Sequence, residues 1–167
     1  GKYPPPKGHS TILGIEIAGV VSTVAEDVTH IKVGDRVCGI VSGGGYAHKV
    51  AICADHLMPI PAHQSFVDAA AIPEAYLTAY QSLFDIGLLT KDKSVLIHAG
   101  ASGVGSAAIQ LAKATGSNVS VTVGTEEKAH FCESLGADRV INYNTSDFAA
   151  ELRSSEDKMD IIIDFVG

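Results

Sequence analysis

The stretch Val95-Leu-Ile-His-Ala-Gly100-Ala-Ser-Gly-Val-Gly105, running on through Ser106-Ala-Ala-Ile-Gln-Leu-Ala112, constrains this chain more than any other. Mostly apolar residues lead into a glycine-rich turn, and beyond it Val104, Ala107, Ala108, Leu111 and Ala112 recur at helical spacing. The pattern is strand, tight turn, helix. Such a turn aims unpaired backbone N–H groups and the positive end of a helix dipole at one point, which suits a phosphate. Within it Gly100 is expected to permit the sharp turn, Gly103 to leave the backbone open to a pyrophosphate, and Gly105 to let the helix pack close to the strand. Ser102 stands where G-x-G-x-x-G has its second glycine, so the run reads G-x-S-G-x-G. The competing reading is a strand-to-helix turn with no ligand.

Of the 167 residues, 46% are hydrophobic, enough to bury a core and to exclude general disorder. The formal net charge of −7 argues against nucleic acid or an anionic membrane as partner, because both need a clustered basic surface. A bound phosphate must therefore be held locally. No apolar run approaches a membrane-spanning length. The three cysteines, Cys38, Cys53 and Cys132, are scattered and odd in number, as expected of reduced thiols in a cytoplasmic protein.

Residues 1–71 read as β-rich. Ile12 to Val24 is apolar and β-branched, Ile31 to Val37 carries turn residues between short strands, and Tyr46 to Ile52 resembles a further strand. Gly43-Gly-Gly45 can bend the chain or admit a close neighbour. Ser65 and Asp68 then resemble a capping box for a short helix that runs up to Pro73. Pro73 suits the start of a second helix over 74–86, with Leu77, Tyr80, Leu83 and Phe84 on one face and Gly87 at its end. From Ser94 onward strands at 94–99, 119–123, 139–142 and 160–166 alternate with helices at 103–115, 126–135 and 147–153, with Gly116 and Gly136 at helix C-termini. Continuous apolar strands with short connections predict an α/β fold, a doubly wound parallel sheet with right-handed crossovers. A full dinucleotide-binding sheet has about six strands. The sequence therefore reads as a fragment lacking pieces at both ends, with little or no activity by itself.

In the NAD form of such a sheet an acid about 20 residues past the glycines ends the second strand and holds the ribose 2′-hydroxyl. Here Val119 to Val123 is followed by Gly124-Thr-Glu-Glu-Lys128, with no acid at the strand end. The Thr125 hydroxyl and Lys128 cation suit the 2′-phosphate of NADPH. Equally, Thr125 caps a helix and Lys128 is a solvated charge, with Glu126 and Glu127 adding repulsion.

Taken together, Gly14-Ile-Glu-Ile-Ala-Gly19, Val33-Gly-Asp-Arg-Val37, Ala70-Ala-Ile-Pro-Glu-Ala-Tyr-Leu-Thr-Ala79, His98-Ala-Gly-Ala-Ser-Gly-Val-Gly105 and Leu135-Gly-Ala-Asp138 resemble the medium-chain dehydrogenase/reductase superfamily, quinone oxidoreductase branch. Gly1-Lys-Tyr-Pro-Pro-Pro6, Gly43-Gly-Gly45 and Leu57-Met-Pro-Ile-Pro61 are most similar to its tumour-suppressor-inducible NADPH:quinone oxidoreductases. The resemblance implies part of a GroES-like β-barrel catalytic domain over 1–72 and the N-terminal part of a Rossmann NADPH-binding domain over 73–167, with the active site between them. Zinc-dependent relatives carry Gly-His-Glu where this chain has Gly14-Ile15-Glu16, and isoleucine cannot ligate zinc. Cys53 and His56 lack partners at useful spacing, so no metal site is expected, and the other histidines read as ordinary surface or hydrogen-bonded residues. Glu16 reads as structural, a carboxylate in an apolar run that needs a donor.

By resemblance, the activity is zinc-independent hydride transfer from NADPH to a quinone or other conjugated carbonyl. An enoyl reductase and a non-catalytic NADPH-binding protein are the rival readings. Tyr3 is then the catalytic donor or stacking partner, and Gly44 and Gly45 leave room for a flat substrate ring. Thr78 lies beside the nicotinamide, and Ser102, Gly103 and Val104 hold the pyrophosphate. Gly124, Thr125 and Lys128 hold the 2′-phosphate, Tyr143 lies near the adenosine, and Val166 and Gly167 end the fourth strand against the cofactor. The full-length parent is implied to be a homodimer.

Overall fold

The computed structural model describes residues 7–154 and 158–166. They fall into two compact units, one ending at Glu74 and the next beginning at Ala75. The first is built on an antiparallel sheet of β1 (Glu16–Val20), β2 (Arg36–Ile40) and β3 (Leu57–Pro59), in that spatial order. Its register pairs Ala18 with Cys38 and Cys38 with Met58. These residues pack with Ile60 and with Ala69 of helix α1 (Phe66–Ala70) to make a small core. Arg36 at the start of β2 fixes the chain that leads into α1. Its guanidinium donates to the carbonyls of Pro61 and Ala62, both at 3.0 Å, and lies 4.5 Å over the Phe66 ring.

The expected strand over Tyr46 to Ile52 is absent. The extended segment becomes strand only where a neighbour accepts its N–H groups in a ladder. Here the Gly45 and Tyr46 N–H groups go to Gly14 and Leu13, and the third strand falls at Leu57–Pro59 instead. The Ser65 cap forms as expected, its Oγ accepting from the Asp68 N–H at 3.1 Å. The reciprocal half of the box does not form, and Ser65 Oγ instead donates to Asp68 Oδ2 at 2.7 Å. An aspartate is one methylene shorter than the glutamate of a full capping box. Glu16 finds its donor in the Glu74 N–H, 2.9 Å from Oε1, at the start of helix α2 (Pro73–Tyr80).

Past α2 the helix widens into a π-helical segment over Gln81–Ile86. The wider turn rotates the residues after Tyr80 relative to those of α2. Leu83 is fully buried with Ala79, whereas Leu77 and Tyr80 are 46% and 51% exposed. Beyond it the second unit is a parallel sheet in the order β6-β5-β4-β7, with β4 at Ser94–Ile97, β5 at Asn118–Val123, β6 at Arg139–Asn142 and β7 at Ile161–Ile163. Helices α3 (Gly103–Thr115), α4 (Glu126–Ser134) and α5 (Phe148–Ser154) alternate with these strands. That is the predicted doubly wound arrangement, with strands β4 and β7 shorter than expected. Gly116 and Gly136 adopt φ of 85° and 98° at helix ends, as their positions predicted.

Val95, Ile97, Val119 and Val121 are fully buried against Ala107, Ala108, Ile109 and Ala112 of α3. Each valine or isoleucine removed from water in this way contributes about 1.5–3 kcal/mol. Asp138 ties the far end of α3 to the sheet. Its carboxylate accepts from Lys113 Nζ at 2.8 Å and from the Val119 N–H at 2.7 Å. Burial pushes the carboxyl pKa up, but the hydrogen bonds from Lys113 and Val119 outweigh that and hold it below the ordinary value.

A lowered carboxylate pKa stabilises the fold above the unfolded value of about 4, and the contribution disappears as pH falls through the folded value. Because the Asp138 side chain is 45% exposed, solvent screens the pair. Asp138→Asn is therefore expected to lower stability at neutral pH by up to about 1 kcal/mol. In denaturation curves the difference from wild type should shrink to nothing well below pH ~4.

Candidate functional site

The chain leaves β4 at His98 and enters the glycine-rich turn. Gly100 does not supply the left-handed residue; Ala99 does, at φ 54°. Gly100 is required for clearance instead, since a Cβ there would lie 2.7 Å from Cβ of Val121 on β5. Holding an alanine in the left-handed region costs roughly 1–2 kcal/mol, offset here by packing of the two strands. Gly105 behaves as expected, because a Cβ on it would strike the Ala99 carbonyl oxygen and lie 2.7 Å from that of Gly100. Gly103 faces open space, with no atom within 4 Å of an added Cβ.

Ser102 caps α3. Its Oγ accepts from the Gly105 N–H at 3.0 Å, and its carbonyl accepts from Ser106 at 2.8 Å. The N–H groups of Ala101, Gly103 and Val104 are left without an acceptor among the described residues. With the helix dipole behind them they form a ready site for a diester anion. The serine at the second glycine position thus replaces conformational freedom with a cap, and the anion-binding donors stay free.

This turn borders a cleft of about 440 Å³ in the second unit. Ser102, Gly124, Lys128, Tyr143 and Val166 line it together. Gly124 admits the Tyr143 ring, since an added Cβ would lie 2.5 Å from the phenol oxygen. Asn144 Nδ2 holds that bend by donating to the Gly124 carbonyl at 2.7 Å. Thr125 caps α4, with Oγ1 3.3 Å from the Lys128 N–H, so its hydroxyl hydrogen is still available to donate. Lys128 is exposed and has no ion-pair partner among the described residues, while Glu126 leans toward His130 at 3.7 Å. Thr78 does not line this cleft; its carbonyl accepts from Ser82 Oγ at 2.8 Å. Gly44 and Gly45 belong to the first unit, where Gly45 closely approaches Gly14. Tyr3 and Gly167 lie outside the described residues.

Sequence patterning missed other members of the cleft. His98, Thr122, Phe148 and Asp164 line it as well. The available signals were a histidine at the very end of an apolar strand and a threonine inside the run Val119 to Val123. The buried thiols offer no nucleophile here. Burial, with the Glu133 charge adding to it, pushes Cys132 up to about 11, and burial raises Cys38 too. Among the described residues no three His, Cys, Asp or Glu side chains gather as a metal site, and no helix is long and apolar enough to cross a membrane.

Residues 1–62 match the alcohol dehydrogenase GroES-like domain family, and residues 103–167 match the zinc-binding dehydrogenase family. Quinone oxidoreductase 1 of Escherichia coli is 42% identical over 170 residues, covering 100% of this chain and 52% of that protein. The crystal structure of Escherichia coli quinone oxidoreductase complexed with NADPH superposes with a TM-score of 0.80 at 42% identity, over 92% of this chain and 47% of that one. The CurK enoyl reductase superposes with a TM-score of 0.82 at 33% identity, over 92% of this chain and 46% of that one. The chain spans about half the length of each of these relatives.

The contact between Gly100 and Val121 carries a stability prediction. Gly100→Ala is expected to cost about 1–3 kcal/mol through overpacking. Combined with Val121→Ala the two losses should be less than additive in a double-mutant cycle read by thermal or urea denaturation. Strict additivity would show that the strands separate freely at this point.

Proposed function

The chain belongs to the medium-chain dehydrogenase/reductase superfamily, and from that premise we propose that it binds NADPH and forms part of a zinc-independent oxidoreductase acting on a quinone or similar conjugated carbonyl. One observation carries the reading: the turn residues Ala101 and Ser102, which lead into α3 and its free N–H groups, line the same cleft as Lys128. The first suits a pyrophosphate, the second a phosphate monoester. In this reading Ala101, Gly103 and Val104 donate backbone N–H groups to the pyrophosphate. Lys128, the Thr125 hydroxyl and the Gly124 backbone hold the 2′-phosphate. Tyr143 flanks the adenosine side, and Val166, Gly167 and Thr78 follow the cofactor toward its nicotinamide. When bound, NADPH supplies the hydride. Tyr3 is assigned as donor to the carbonyl oxygen that gains charge, and Gly44 and Gly45 as the substrate-side backbone that leaves room for a planar ring.

The CurK likeness supports a second reading, reduction of an enone or an unsaturated thioester by the same hydride. NADPH consumption by the full-length parent with a quinone, an enone and a crotonyl thioester separates them. Turnover of the quinone is expected; turnover of the thioester alone would replace the quinone reading with an enoyl reductase. Binding of NADPH with no acceptor reduced would favour a non-catalytic protein.

Lys128→Ala should weaken NADPH binding by about tenfold or more, the scale of a lost charge-assisted contact, and leave NADH nearly unaffected. Equal losses for both dinucleotides, measured by fluorescence titration, would remove the 2′-phosphate from Lys128.

A further inference from the structure

His98 is half-buried at the end of β4, where the sequence gives it no evident task. Its Nδ1 is 2.9 Å from Oγ1 of Thr122, whose side chain is otherwise enclosed in β5. Phe148 of α5 meets the imidazole edge-on, with centroids 5.1 Å apart and planes at 75°. Held by a hydrogen bond on one side and a ring on another, the imidazole has one nitrogen, Nε2, left for the cleft that it lines. The threonine hydroxyl can donate to a neutral Nδ1 or accept from a protonated one, so this support serves both charge states. With Nδ1 accepting from the Thr122 hydroxyl, the arrangement the proposal requires, Nε2 carries the hydrogen.

We propose that His98 is a dinucleotide-positioning residue that donates from Nε2 to an anionic phosphate oxygen of the cofactor, beside the backbone donors of the α3 turn. This rests on the dinucleotide reading above. It adds a side-chain donor to a site otherwise made of backbone N–H groups and Lys128. The charged or titratable groups that share the cleft with His98 are Lys128 from α4, Tyr143 after β6 and Asp164 after β7. Asp164 Oδ1 accepts from the Val166 N–H at 2.8 Å, which engages it with its own loop.

The test measures the NADH dissociation constant of wild type and of His98 variants at one pH. NADH is the probe because it lacks the 2′-phosphate assigned to Lys128. His98→Gln keeps a side-chain donor and should bind nearly as wild type does. His98→Phe removes the donor and should bind about tenfold more weakly. If the phenylalanine variant fails to fold, by its melting curve, His98→Leu takes its place. Wild-type affinity in the folded variant that lacks the donor overturns the proposal. Absence of any dinucleotide binding by wild type, with NADPH or NADH, would instead overturn the cofactor reading on which it stands.

Discussion

The close contact of β4, the glycine turn and β5 is the constraint on which the second unit depends. Gly100 lies against Val121, and Gly105 lies against the carbonyls of Ala99 and Gly100. Any side chain at either position would part the strand from its neighbour or lift α3 off the turn. Because both stay bare, α3 begins directly above the end of the sheet. The turn that leads into it lines a cleft through Ala101 and Ser102. The strained Ala99 is the cost of that closeness, held in place by buried apolar strands on both sides.

Hydroxyl caps organise the helix starts by the same device. Ser65, Ser102 and Thr125 each accept an N–H from the third residue after them, as N-caps do. At Ser102 and Thr125 the cap bears on the proposed cofactor site. By satisfying an inner N–H it holds the first turn rigid while the outermost donors remain free for an anion. The cap and the ligand-binding readings of Thr125 are therefore not rivals, since one hydroxyl oxygen can accept while its hydrogen donates.

Several polar residues inside the second unit have partners across elements. Asp138 draws together Lys113 and the start of β5, Ser117 donates to Thr90, and Thr122 meets His98. No buried side-chain nitrogen or oxygen among the described residues lacks a partner. The Thr122 to His98 pair reaches from the buried sheet to the cleft. It fixes a ring that a solvated histidine would leave free to rotate, so the same bond serves packing and site geometry.

The parallel sheet was legible in the sequence because continuous apolar runs such as Val119 to Val123 and glycines at 116 and 136 encode local events. A strand buried on both faces and a left-handed cap need no knowledge of distant residues. The turn after β4 and the Lys128 position were legible for the same reason, each fixed by spacing within one strand-to-helix unit. What the sequence could not decide depends on neighbours far along the chain. Tyr46 to Ile52 has strand composition but no ladder partner, and Leu77 and Tyr80 of the expected apolar face are exposed on α2. Gly100 was placed correctly but for the wrong reason, because the clash it avoids is with Val121 on another strand. His98 entered the cleft only when β5 brought Thr122 beside it and α5 brought Phe148. Periodicity records how a residue relates to its own helix or strand, whereas clearance and pairing across strands exist only once the chain has folded.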